Sequence, residues 1–162
     1  MKKIMTIALI GLTTGLMLGC HQAAPATPSH RTRTVISSKQ YTTTELQARF
    51  TKVTDAAVKP LDLASYQQAD TKIKAAIKAG TATLTAVRLQ LVSNQTEPAL
   101  TKALIAYLET ATKMLQALAA GEQATFNTQA KAFSTQCSRI GRQYFKGQLP
   151  ESIVNYSQRV SK

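Results

Sequence analysis

Few side chains in this 162-residue chain are suited to bond-making chemistry. Cysteine occurs at Cys20 and Cys137, and histidine at His21 and His30. From Tyr41 onward there is no histidine and no tryptophan. That stretch therefore lacks the commonest general base and the commonest transition-metal ligand. Two cysteines cannot build a disulfide framework or a cysteine-rich zinc module. Cys137 falls between Phe133 and Ile140 at helical spacing, where an apolar setting makes a thiol inert. The carboxylates Glu45, Asp55, Asp62, Asp70, Glu97, Glu109, Glu122 and Glu151 are scattered along the chain. Several fit helix starts, where they complement the dipole. None forms a glycosidase-like pair or a calcium loop. There is no Gly-rich phosphate loop, nucleophile elbow or HExxH run. The expectation is no enzymatic activity, no metal and no cofactor of the ordinary kind.

Charge is the more pronounced feature. Lys plus Arg number 20 against 8 Asp plus Glu, a formal net charge of +12. Lys74 and Lys78 lie one helical turn apart, with Lys72 close by. Lys131, Arg139, Arg142 and Lys146 fall broadly on one side of a later helix. A solvated face with cations near helix ends accounts for such a pattern. The functional reading is contact with an anionic envelope polymer, with phospholipid headgroups or with a membrane protein. No aromatic side chains interleave with these cations to stack bases, so specific nucleic-acid binding is not expected.

The reactive thiol with the clearest context is Cys20. Lys2 and Lys3 give a positive start, and Ile4–Leu18 follows without a charge. These fifteen residues, interrupted by Thr6, Gly11, Thr13, Thr14 and Gly15, are short of the ~20 that a membrane span needs. They match the apolar core of a secretory signal. The segment closes Leu16-Met17-Leu18-Gly19-Cys20. It resembles the lipobox of bacterial lipoproteins, where an apolar run stops at a small residue followed by Cys. That resemblance covers residues 1–20 only. It implies cleavage between Gly19 and Cys20 and a diacylglyceryl thioether on the Cys20 sulfur, with further acyl chains such as palmitate. Residues 1–19 are then a signal peptide. Each buried methylene adds ~0.8 kcal/mol, so two or three chains hold a protein durably on a membrane without a spanning helix.

Residues 20–40 carry the lipidated Cys and a flexible linker. His21–Gln40 contains Pro25, Pro28 and many small polar residues, with no apolar stripe. Twenty flexible residues reach ~25 Å on average. Both histidines lie here, and no ligand role is expected of them.

The elements that position the remaining side chains are helical, because apolar residues from Tyr41 onward follow a helical period. Thr42 and Glu45 form a capping box, with Tyr41 and Leu46 as a staple. Leu46, Phe50, Val53 and Ala57 share one face, and Pro60 is expected to end this first helix near Lys59. Asp62 is a candidate N-cap for a second helix. Tyr66, Ala69, Ile73, Ile77, Gly80, Leu84, Val87 and Leu91 continue one stripe. An unbroken helix over 62–93 would be ~48 Å long. The competing reading stops a helix at Gly80. The unbroken one is preferred, with Gly80 letting a neighbouring helix come close. A strand over 81–92 is rejected because it has no partner.

Glu97 and Pro98 suit the start of a third helix, with a stripe of Leu100, Leu104, Leu108, Ala111, Leu115 and Leu118 and a C′ glycine at Gly121. A fourth carries Phe126, Ala130, Phe133, Cys137, Ile140 and Tyr144 and forms an antiparallel hairpin with the third. Ile153, Tyr156 and Val160 mark a short last helix after Pro150. The expected fold of residues 41–162 is all-α, a slim antiparallel bundle of four to five helices behind a flexible N-terminal tether.

The expected role is a membrane-anchored, extracytoplasmic, non-enzymatic binding or scaffolding module. Thr, Gln and Ala usage with high basicity points to a Gram-positive outer surface. Two other readings stand beside it, a phage- or plasmid-exclusion or immunity lipoprotein and a carrier of a small apolar ligand.

Overall fold

The computed structural model describes residues 39–161. Gly19, Cys20, both histidines and most of the linker lie outside the described residues. Helix α1 (Thr43–Ser65) starts at its capping box. The Thr42 hydroxyl accepts from the Glu45 N–H at 3.2 Å, and the Glu45 carboxylate accepts from the Thr42 N–H at 2.8 Å. Leu46, Phe50, Val53 and Ala57 are buried, as their spacing predicts.

Pro60 does not end this helix, contrary to expectation. α1 continues through it to Ser65. A proline inside a helix costs ~3 kcal/mol. Each large apolar side chain buried contributes ~1.5–3 kcal/mol, and Val58, Pro60 and Leu61 are all buried in this turn. Burial therefore offsets the lost backbone bond. Asp62 is consequently not an N-cap. It lies inside α1 and forms an ion pair with Arg159.

The unbroken helix over 62–93 is also corrected. The break falls at 66–69, not at Gly80. The Tyr66 N–H closes α1 on the Asp62 carbonyl at 3.2 Å, and Gln67 adopts a left-handed φ of 52°. Tyr66 and Ala69 are exposed rather than part of the stripe. Helix α2 (Asp70–Val92) then buries Ile77, Gly80, Leu84, Val87 and Leu91 in the expected phase. Gly80 does allow close approach, because a Cβ there would lie 2.6 Å from the Ala56 carbonyl oxygen of α1.

The turn after α2 is organised by Asn94. Its side-chain oxygen accepts from the Tyr41 N–H at 3.0 Å, and its amide donates to the Thr96 carbonyl at 2.7 Å and the Thr101 hydroxyl at 2.8 Å. Lys39 bonds to the same turn, donating to the Ser93 carbonyl and accepting from the Gln95 N–H, each at 3.2 Å. Lys39 thus joins the folded part instead of the linker. The isolated Lys39–Asn94 bridge is the one β-type pairing among the described residues, so Thr81–Val92 is helix as expected.

Helix α3 (Pro98–Ala120) has its proline in the first turn and ends at Gly121 with φ 70°. Helix α4 (Gln123–Tyr144) returns along it, and helix α5 (Glu151–Val160) follows a turn through Pro150. α1, α2 and α3 pack on one another, α4 packs mainly on α3, and α5 packs on α1. At the centre the Tyr107 ring stacks on Phe133 with centroids 4.6 Å apart and tilts against Phe50 at 5.4 Å. The described part of the chain is an all-α bundle of five helices.

Candidate functional site

The site begins with two apolar stripes that are not fully covered. On α4, Phe133, Cys137 and Ile140 are buried, but Phe126, Ala130 and Tyr144 are only half-buried. α5 buries no residue completely, and Ile153 and Tyr156 are half-buried. A ten-residue helix is ~15 Å long and a 22-residue one ~33 Å, so α5 cannot cover the stripe of α4. α5 is fastened instead to α1 by polar contacts. Ser152 donates to the Asp55 carboxylate at 2.5 Å, Arg159 pairs with Asp62, and the Arg159 guanidinium sits 5.0 Å from the Tyr66 ring centroid.

Between α4 and α5 there is consequently a solvent-open apolar groove of about 300 Å³. Phe126, Ala130 and Phe133 form one wall, and Ile153, Tyr156 and Val160 the other. Leu61 of α1 and Met114 of α3 also line it. Five large apolar side chains are exposed among the described residues, and two of them, Leu149 and Val160, belong to this groove. Its polar lining is limited to hydroxyls and one thiol, including Ser134, Ser138 and Cys137.

Cys137 is 1% exposed. Burial pushes its thiol up, against an opposing pull from the Tyr107 and Thr54 hydroxyls. The Tyr107 hydroxyl is held well above its ordinary value, first by burial. It lies 2.9 Å from the Thr54 hydroxyl, which also donates to the Phe50 carbonyl at 2.9 Å. A thiol that stays protonated in such a place packs and does not attack.

The sequence-predicted cations do not form one surface. Lys74 and Lys78 are exposed on α2, and Lys131, Arg139 and Arg142 on α4. Lys146 is exposed in the turn beyond α4, with a left-handed φ of 51°. α2 and α4 both pack on α3 and share no substantial contact with each other, so the six cations fall into two groups. The ion pairs among the described residues are Arg88–Glu109 and Arg159–Asp62, and none of the six takes part in either. α4 contains no carboxylate at all. Gly19 and Cys20 lie outside the described residues.

No group of three or more potential metal ligands converges among the described residues. No helix among them is long and apolar enough to cross a membrane. Comparison of the chain with protein families, curated proteins and solved structures gives no match.

Sequence reasoning missed the groove and its residues Leu61, Met114, Leu149 and Val154. The signal that could have found it was the unequal length of the last two apolar stripes.

Proposed function

We propose that this chain is a lipid-anchored lipoprotein of the bacterial cell membrane, exposed on the extracytoplasmic face. Its helical domain is a non-enzymatic binding module for an anionic envelope partner. The observation that carries this reading is the order of residues 1–20. Two lysines, an uncharged run, Gly19 and Cys20 follow one another as a lipoprotein leader requires. Cys20 takes the diacylglyceryl group, and the linker sets the bundle off the membrane. The unpaired cations of α4, with no carboxylate on the same helix, supply a positive field that falls off within ~8–10 Å at physiological salt.

Intact mass of the purified protein tests the anchor. The expected species begins at Cys20 and carries the added mass of acyl chains. A species that still begins at Met1, or a trimmed one with a free thiol, overturns it. Replacing Cys20 by Ser is expected to move the protein from the membrane fraction to the soluble one. For the partner, pull-down of envelope polymers is expected to weaken as ionic strength rises.

A further inference from the structure

The geometry points to the groove between α4 and α5 as a binding site for a single-chain anionic amphiphile, a fatty-acid-like molecule with its hydrocarbon tail in the groove and its acidic head at the α4 rim. This site is independent of the anchor and stands whether or not Cys20 is acylated.

Size selects the tail. One turn of α-helix, ~10 Å across and 5.4 Å in pitch, fills about 420 Å³, more than the 300 Å³ available. A helical peptide therefore does not fit without displacing α5. A methylene occupies about the volume of a water molecule in the liquid, about 30 Å³, so the groove takes a tail of about ten carbons. Its walls suit such a tail, since Phe126, Phe133, Ile153 and Val160 offer no charge. Ligand sites of this kind are mostly apolar with a few convergent polar groups.

Charge selects the head. Ser134 and Ser138 line the α4 side of the groove. Lys131 precedes Ser134 by three residues and Arg142 follows Ser138 by four, so both cations share the serines' strip of helix surface. Both are exposed, and neither has an ion-pair partner among the described residues. The one carboxylate on α4 or α5 is Glu151, which accepts from the Asn155 side chain at 3.4 Å. An acidic head at this rim therefore meets two cations and two hydroxyls, with no carboxylate on the same strip.

The test uses the full chain in phosphatidylcholine vesicles and dodecanoate carrying a photoreactive diazirine near its tail end. The expected result is saturable labelling of the peptides spanning 126–138 and 149–160, displaced by unlabelled dodecanoate. Ala130→Trp, which fills the groove from α4, is expected to cut labelling at least tenfold with the helical signal unchanged. If that variant does not fold, Val154→Trp fills the groove from α5 and is expected to do the same. Replacing Lys131 and Arg142 together by Gln is expected to weaken displacement by dodecanoate threefold or more and to leave displacement by dodecanol unchanged. Labelling that does not saturate, that spreads evenly over the helices, or that persists in a folded Trp variant overturns the site. Equal weakening for dodecanoate and dodecanol in the Gln variant overturns the anionic head. Displacement by an amphipathic helical peptide as effective as by dodecanoate overturns the choice of a lipid-like occupant.

Discussion

Gly80 of α2 lies against the Ala56 carbonyl of α1, the group that Pro60 leaves without its usual helical donor. Residue 60 would ordinarily bond back to residue 56, and proline has no N–H to do so. A Cβ at Gly80 would stand 2.6 Å from that oxygen and 3.1 Å from Leu115 Cδ1. Two residues that each disfavour helix are thus matched across the α1–α2 contact.

The first prediction follows from this pairing. Ala normally stabilises a helix by ~1 kcal/mol relative to Gly. Here Gly80→Ala is expected to destabilise the bundle by ~1–3 kcal/mol, the usual cost of overpacking. Urea unfolding measures it, and a more stable variant would remove the argument. Pro60→Ala restores a donor to the Ala56 carbonyl, so the two changes together are expected to depart from additivity by ~0.5 kcal/mol or more.

A second prediction concerns the start of α1. Thr42→Ala removes the cap and is expected to cost ~1 kcal/mol. The backbone N–H and then the hydroxyl of Thr42 lower the Glu45 carboxyl from its ordinary value of 4.5. A carboxyl lowered in the folded state adds stability above its unfolded value, and this is lost as pH falls through the folded one. The stability gap between the parent chain and Thr42→Ala should therefore narrow below pH 4.5. A gap that widens with acid contradicts the linkage.

The buried hydroxyls give a third prediction through their asymmetry. Thr54 keeps its bond to the Phe50 carbonyl when Tyr107 is changed. Tyr107→Phe is therefore expected to cost only ~1 kcal/mol. Thr54→Val removes the 2.9 Å hydroxyl partner of Tyr107 and leaves the phenol with the weak thiol of Cys137. Its cost should be larger, up to ~3 kcal/mol. Chemical denaturation of the two single variants ranks them, and the reverse order would refute the assignment.

A fourth prediction is local. α5 has no fully buried residue and is tied to α1 by the Ser152–Asp55 and Arg159–Asp62 contacts. Its amides should exchange with solvent faster than those of α3, which carries ten buried residues. Arg159→Ala should speed exchange over 151–160 while shifting global stability by only ~0.2–1 kcal/mol. Unchanged protection in α5 would show that apolar contacts alone secure it.

The helical class and most boundaries were legible because their causes are local. Thr42 with Glu45 starts α1, Pro98 starts α3 and Gly121 ends it, each by a rule that spans one turn. Pro60 and Asp62 misled for the complementary reason. Their settings are tertiary, one buried beside Leu61 and the other paired with an arginine 97 residues away in sequence. The break at 66–69 contains neither glycine nor proline, so the left-handed Gln67 announced nothing. The groove was hidden because it is a space between helices, and spacing along one helix reports only that helix's own face. The cations were visible individually, but their division into two groups depends on α3 standing as a common neighbour of α2 and α4.

The contacts of Lys39 have a mechanical consequence. A pull applied through the N-terminal side of the chain enters the bundle at a residue clasped by two backbone bonds to the α2–α3 turn. Tyr41, two positions on, is held at its N–H by Asn94 and at its carbonyl by the Thr96 hydroxyl at 2.6 Å. Load is therefore shared between the head of α1 and a turn more than fifty residues away along the chain. Tension that would otherwise peel α1 open from its first turn must break this clasp first.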